Sequence, residues 1–290
     1  MKSIKSLIII FTIIGNSLMA QDVTITSEKI SDHVYVLYGR GGNIGLAVTD
    51  NGVYMIDDQF AELTPKILEK IKTITDEPVK YLINSHWHGD HTGGNENMAK
   101  QGAVIVAHNN VFKRMSVRQD RGGGRVQEAA PDMALPQITF SDNMMMHLDR
   151  NTEIMIMHVH DAHTDTDALI YFPSENAIHM GDVFFNDGRY PYIDLSSGGS
   201  INGVIEGLDH ALFIVNDDTK IIPGHGKVTD KSTLKKYREM LVTIRERVQQ
   251  AKDDGKTLEE TQAMSLTAEY DDNHSSDPNS LIDYIYNSLK

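Results

Sequence analysis

Residues 83–95 read INSHWHGDHTGGN. Three histidines and one aspartate fall between His86 and His91, and a Gly-Gly pair follows at once. A lone buried histidine is ordinary core furniture; His-x-His-x-Asp-His is not. His86 and His88 are two apart, and period two points both side chains the same way in an extended segment, whereas on a helix they diverge. A strand running to Ser85 therefore presents both rings to one metal, and leaves Trp87 on the other side for packing. Asp90 and His91 come after a turn and face a second metal close by. Gly93 and Gly94 let the backbone bend before the next helix. The chain has no cysteine, so any metal site has to be built from His, Asp and Glu, without thiolates.

The flanking sequence has α/β order. HVYVLYG, GLAV and VYMID are short apolar runs separated by the turn stretches GRGGN and TDNG. Leu63, Ile67, Leu68, Ile71 and Ile74 recur at helical spacing over 61–77, and VKYLINS follows as a strand. AVIVAH (103–108) is another strand, and a helix is expected over 109–118. Alternation of strand and helix is the mark of α/β layering. Residues 119–136 hold three consecutive glycines and two prolines and read as a flap or a plain surface loop. Strands return at ITF, MMMHL, EIMIMHVH, ALIYFP and AIHMGD. Helices follow at about 200–216 and 231–252, with one more near the end at LIDYIYNSL. No repeat and no linker divides the chain. A single domain over 21–290 is expected, with its core at about 30–240 and a helical C-terminal tail.

The histidine string resembles the signature of the metallo-β-lactamase superfamily, which implies a four-layer αβ/βα sandwich. The resemblance runs over about 30–240. His163 in HDAHTDTDA, Asp182 in IHMGDVFF and His225 in IIPGHGKV match the superfamily's remaining ligands. It implies one zinc on His86, His88 and His163, a second on Asp90, His91 and His225, and Asp182 touching both. Asp57 in YMIDD matches an acidic residue that supports the site. Asp165 or Asp167 is a further candidate near His163, and His160 lies close by in sequence. Zinc is the expected metal, although Asp-rich dinuclear sites also take iron or manganese.

The implied reaction is hydrolysis of an amide- or ester-type carbonyl by a hydroxide shared between the two ions, oriented by Asp90. No Ser-His-Asp or Cys-His arrangement competes with it. Asn43 and Arg189 are candidate substrate contacts, the latter through a bidentate pair with a carboxylate; Tyr190 and Tyr192 are possible wall residues. A β-lactam is the leading substrate, which would carry a role in antibiotic resistance. Asp182 stands where zinc β-lactamases place a cysteine, and Phe185 where relatives often carry a lysine. A lactonase or a glyoxalase II-like thioesterase is the alternative enzyme. A periplasmic metal- or ligand-binding protein is the alternative without turnover.

Residues 1–20 carry two lysines, an apolar run from Leu7 to Ile14 and small residues up to Ala20, the pattern of a cleaved secretory signal. The run is short for a stable membrane anchor, which needs about 20 apolar residues. A periplasmic or secreted protein is expected. Without the two leader lysines, 25 basic residues face 41 acidic ones, a net charge of −16. That balance argues against nucleic acid as a partner and leaves a small molecule.

Overall fold

The computed structural model of the protein describes residues 23–120, 124 and 126–289. The expected leader lies outside the described residues, as do Gly122 and Gly123 of the glycine-rich stretch.

The first half builds a seven-stranded sheet. Strands β1 (Thr26–Lys29), β2 (Val34–Tyr38), β3 (Ile44–Thr49) and β4 (Gly52–Ile56) form an antiparallel meander. After helix α1 (Thr64–Lys72), strand β5 (Val79–Ile83) adds in parallel. Short helices α2 (Gly89–Thr92) and α3 (Asn95–Lys100) lead to β6 (Val104–His108), also parallel, and then to α4 (Asn109–Met115). A two-residue hairpin, β7 (Gln119–Asp120) with β8 (Val126–Gln127), precedes β9 (Ile138–Phe140), which closes the sheet.

The second sheet is β10 (Asn143–His147), β11 (Glu153–His158), β12 (Ala168–Phe172) and β13 (Ala177–His179), all antiparallel. Beyond β14 (Phe185–Asn186) and helix α5 (Ile201–Ile214), strand β15 (Lys220–Ile222) joins β13 in parallel. Strand β16 (His225–Gly226) pairs with β14. The remaining helices are α6 (Lys231–Asp253), α7 (Leu258–Gln262), α8 (Ala268–Asp271) and α9 (Pro278–Ser288).

Side-chain alternation explains the layering. Val34 and Val36 of β2 face Ile154 and Ile156 of β11 across the space between the sheets, with Ile170, Phe172 and Ile222 in the same cluster. Leu37 points to the other side and packs with Leu63, Ile67 and Ile71 from α1 and its lead-in turn. On the second sheet Leu169, Ile178 and Ile221 turn away from Phe172 to meet α5, α6 and α9. Both faces of both sheets are covered, which gives helix, sheet, sheet, helix: the expected four-layer sandwich. The helices dock by helical spacing, through Val204, Leu208 and Ala211 on α5 and Leu234, Leu241, Ile244 and Val248 on α6. Ser200 and Asp230 cap these two helices by accepting from Gly203 N–H and Thr233 N–H.

Three expectations shift. The helix expected to Glu77 ends at Lys72, because Thr73 Oγ1 turns back to the Lys70 carbonyl and Pro78 disfavours helix in the residue before it. The strand expected to reach Ser85 ends at Ile83, so the histidines sit on the loop past the sheet edge. Within 119–136, residues 130–135 are anchored. Ala134 and Leu135 pack with Trp87, and the Ala134 carbonyl accepts from Asn95 Nδ2. Trp87 is buried against Ala107, Val111 and Met115, the packing role expected of it.

Two stability measurements follow. Phe172→Ala, between the sheets, should cost about 3–5 kcal/mol in urea unfolding, while Phe213→Ala, at a position 90% exposed, should stay within about 0.5 kcal/mol. Equal costs would refute the layer assignment. His108 stacks on His158 at 3.6 Å, and burial with that neighbouring ring lowers its pKa to about 4. Its unfolded value is near 6.5, so the unfolded chain binds the proton first. Stability should decline as pH falls from about 6.5 to about 4, and His108→Phe should flatten that part of the profile; an unchanged slope would rule His108 out as its source.

Candidate metal centre

The ends of four strands and one loop converge on one edge of the sandwich. Asp57 follows β4, His86 and His88 follow β5, Asp182 follows β13 and His225 opens β16 after β15. His163 comes from the loop between β11 and β12. The seven residues named from the histidine string and its downstream partners gather into two groups that could hold a metal ion. One is His86, His88, His163 and Asp182; the other is Asp90, His91 and His225.

In the first group each imidazole is aimed by its outer nitrogen. His88 Nε2 lies 2.8 Å from Asp194 Oδ2 and donates to it, which leaves the Nδ1 lone pair facing inward. His163 Nδ1 donates to the Tyr192 carbonyl at 2.7 Å, leaving Nε2 inward. His86 Nδ1 is 3.1 Å from Ser85 Oγ. Ser85 is in turn held by Asp57, which accepts from its N–H at 2.7 Å and its hydroxyl at 2.6 Å. Burial lowers the pKa of His86 strongly, with the neighbouring His91 adding to it, and burial lowers His163 to about 4. Both rings are therefore neutral near pH 7, the state in which imidazole binds a metal.

In the second group His91 Nδ1 donates to Asp57 Oδ2 at 2.7 Å, and its Nε2 points inward. Asp57 thus supports both groups, as its position after β4 suggested. His225 Nε2 lies 3.3 Å from Asp90 Oδ2, and its ring stacks on Phe185. Burial opposes a charge on His91, but Asp182, Asp90 and Asp57 outweigh it and hold its pKa high. Burial likewise opposes a charge on His225, and Asp182 and Asp90 raise it to about 9. Burial works against ionised Asp90 too, yet His91 and His225 keep its carboxyl well below the usual range. A metal has to displace protons from these two histidines.

Asp182 joins the groups. Its Oδ2 lies 3.8 Å from His86 Nε2 and 3.5 Å from His163 Nε2. Its Oδ1 lies 3.1 Å from His91 Nε2 and 3.5 Å from His225 Nε2. Burial pushes its pKa up, but the surrounding histidines, His91 first, hold it well below the usual range. Two glycines make room. A Cβ on Gly224 would sit 2.0 Å from Asp182 Oδ1, and one on Gly42 would sit 2.1 Å from the His91 ring.

The donor set fits cations. His86 Nε2, His91 Nε2 and Asp182 Oδ1 are buried and make no hydrogen bond of ordinary geometry. Such orphaned atoms are costly and rare in groups. His88 Nδ1 and His163 Nε2, both with lone pairs inward, face each other at 2.9 Å, an arrangement that repels unless a cation or proton lies near. Three histidines and a carboxylate suit a four-coordinate ion such as zinc. The second group, with Asp182 shared, offers two histidines and two carboxylates.

Above the two groups is a cavity of about 240 Å³ lined by His88, Asp90, Asp182, Phe185, Arg189, Tyr192 and His225. Arg189 and Tyr192 thus reach the positions expected of them. Three other candidates do not. Asn43 is buried and gives its amide hydrogens to the Pro223 and Gly226 carbonyls, at 2.9 and 2.8 Å; it clamps the His225 turn instead of facing substrate. Tyr190 is buried, with its hydroxyl on Asp271. His160 turns to another hollow, beside His158 and His210. Neither acid of the 163–167 turn touches His163: Asp167 accepts from Thr164 N–H and hydroxyl, and Asp165 pairs with Arg114. The residue the sequence reading missed is Asp194. It lies 106 positions from His88 in an ordinary-looking IDLSSGGS stretch, and the only hint was a run of acceptor-seeking serines beside an acid. Here Ser196 and Ser197 hydroxyls donate to its two oxygens at 2.5 and 2.7 Å.

Comparison with known proteins gives the chain's family. The sequence model described as "Metallo-beta-lactamase superfamily" matches residues 37–247. A "Beta-lactamase-like protein 2 homolog" of Caenorhabditis elegans is 24% identical over 239 residues, 76% of this chain and 73% of that protein. A "Hydroxyacylglutathione hydrolase" of Polaromonas sp. is 27% identical over 59% of this chain and 60% of its own length. "Metallo-beta-lactamase type 2" of Bacteroides fragilis is 23% identical over 72% and 81%. Among solved structures, a metallo-beta-lactamase from Pontibacter korlensis superposes with a TM-score of 0.62 at 19% identity, over 75% of this chain and 99% of that one. A sec-alkylsulfatase from Pseudomonas sp. superposes with a TM-score of 0.68 at 16% identity; 90% of this chain covers half of that one. The likenesses to solved structures establish the fold.

The aiming contacts predict unequal effects. Asp194→Ala should weaken the zinc affinity of the His86, His88 and His163 group about 10- to 100-fold, because its carboxylate holds His88. Asp57→Ala should weaken both, through His91 directly and His86 by way of Ser85. Competition titration against a chromophoric chelator reads the two affinities separately; identical patterns from the two variants would contradict the assignment.

Proposed function

The chain belongs to the metallo-beta-lactamase superfamily, and from that premise we propose that it is an exported two-metal hydrolase that opens an amide- or ester-type carbonyl in a substrate bearing a carboxylate. The observation that carries the reading is Asp182, with one oxygen toward each group of histidines. Cations held by His86, His88 and His163 and by Asp90, His91 and His225, with Asp182 shared, would supply Lewis acidity and lower the pKa of bound water to about 7.

The chain's own residues do the rest. Asp57, Ser85, Tyr192 and Asp194 fix the ring orientations, so no reorganisation is needed when charge develops. Asp90 is 30% exposed at the cavity floor and stays ionised beside His91 and His225. It is the group placed to orient the attacking oxygen and hold its proton at Oδ1 or Oδ2. Phe185 and Tyr192 give the cavity flat apolar walls. Arg189 spends Nε and Nη2 on Asp187 and lies over the Phe185 ring; the fork expected to grip a carboxylate bidentately is thus taken up by Asp187, and Nη1 is left for a single contact with a substrate carboxylate. β-Lactams and glutathione thioesters both carry such a group. Export, read from residues 1–20, favours the β-lactam, while the carboxylate at Asp182 in place of a thiolate favours an ester or thioester.

The deciding experiment assays zinc-loaded protein on a chromogenic cephalosporin, an acylglutathione thioester and a lactone. A kcat/KM above about 10⁴ M⁻¹s⁻¹ on one of them names the class. Turnover of none, with both metals bound, overturns the hydrolase reading in favour of a binding protein. Arg189→Ala should raise KM about tenfold or more for carboxylated substrates and leave an uncharged ester unaffected; equal effects on both would remove Arg189 from recognition.

A further inference from the structure

Residues 185–200 cross the rim of the cavity and bring three groups to it. They are Arg189 on the wall, the Tyr192 carbonyl on His163 and the Asp194 carboxylate on His88. The rim segment is held from behind by the C-terminal segment, which lies outside the matched stretch. The Tyr190 hydroxyl donates to Asp271 Oδ1 at 2.7 Å, and the Tyr190 N–H donates to Ser276 Oγ at 2.8 Å. The Tyr190 ring lies flat on His274, 4.0 Å between centroids and 7° between planes. Ser275 N–H donates to the Gly188 carbonyl at 2.7 Å. The Tyr192 ring meets Tyr284 edge-on at 5.5 Å.

The C-terminal segment is itself rooted in the fold. Leu281, Ile282 and Ile285 of α9 are buried among the residues of α5 and α6. Arg247 pairs with Glu269 and donates to the Leu266 carbonyl, and Lys252 Nζ donates to the Tyr286 and Leu289 carbonyls. A rigid base is thus coupled to Tyr190, two residues before Tyr192 and four before Asp194. The other metal group shares only the near end of this segment, where Phe185 stacks on His225 five residues before Tyr190, and its remaining supports lie elsewhere. Asp90 and His91 lie on α2, His225 is held by the turn that Asn43 clamps, and Asp57 aims His91.

We propose that the C-terminal segment is a positioning element for one half of the metal centre: its grip on Tyr190, through Asp271 and His274, sets the affinity of the His86, His88 and His163 group and leaves the Asp90, His91 and His225 group alone. The inference rests on the reading that both groups hold metal. Tyr190, Asp271 and His274 touch neither substrate nor metal; they act through Tyr192 and Asp194. A displacement of a few tenths of an ångström at that stretch is enough to misdirect two of the three imidazoles.

The test uses the full-length protein. Zinc is titrated in competition with a chromophoric chelator to obtain two stepwise affinities, and thermal unfolding of the metal-free protein is followed alongside. Tyr190→Phe, Asp271→Ala and His274→Ala should each weaken one affinity, and the Asp271→Ala, His274→Ala pair should weaken it about tenfold, the low end for groups that support a ligand. The second affinity should hold. Asp271→Asn keeps an acceptor and His274→Phe keeps a flat ring, so both should restore the wild-type value. Two affinities that stay at wild type in the double variant overturn the proposal. So do two affinities that fall together with the unfolding temperature, which would make the segment general scaffolding. A wild-type protein that binds no zinc overturns the metal reading itself, and this inference with it.

Discussion

A buried carboxylate with one oxygen toward each of two sets of imidazoles is the constraint on which the rest of the structure depends. Asp182 lies between His86 and His163 on one side and His91 and His225 on the other. Inward lone pairs on several rings repel one another, and orphaned buried acceptors cost free energy. Positive charge among them, as a cation or a proton, relieves both problems. The backbone makes the arrangement possible: Gly181 turns with a positive φ of 51° where a Cβ would meet Ser85, and Gly224 leaves the space beside the carboxylate empty.

Around that core, the supporting hydrogen bonds matter as much as the ligands. An imidazole has two nitrogens, and which one is free is decided by what the other one touches. Asp57, Asp194 and the Tyr192 carbonyl make that choice for His91, His88 and His163. His225 differs: its ring is fixed by stacking on Phe185, which also carries Arg189 on its surface. The wall that would meet substrate and the ligand nearest to it are therefore packed as one unit. Phe185 departs from the lysine that the resemblance would place there, and Arg189 brings a cation to the cavity over that same ring.

Much of the site was legible because it is local. His86, His88, Asp90 and His91 fall within six residues, and their two-residue spacing and following glycines carry a geometric meaning without any tertiary information. Strand and helix alternation made the α/β layering legible, whereas the count of four layers came with the resemblance carried by the histidine string. Other residues could not be read this way. Asp194 serves a histidine 106 positions away, and nothing in IDLSSGGS marks that distance. Asn43 resembled a wall residue until its amide proved to be committed to the loop at 223–226. Asp165 and Asp167 sit next to His163 in sequence, but the turn points their carboxylates to Arg114 and to Thr164.

The sequence by itself determined the ligand chemistry: histidine and carboxylate with no thiolate, strung at spacings that a strand end can present to metals, on a chain with the strand and helix periodicity of an α/β fold. Tertiary structure alone decided which nitrogen of each ring faces inward, which acids stand behind the ligands, and that the last helices reach back to the rim through Tyr190. The reason is one of range. Side-chain type and short-range periodicity are properties of neighbours along the chain, whereas a hydrogen bond that selects one ring nitrogen requires two strand-end loops, remote in sequence, to be set within 3 Å of each other by the packing of entire sheets.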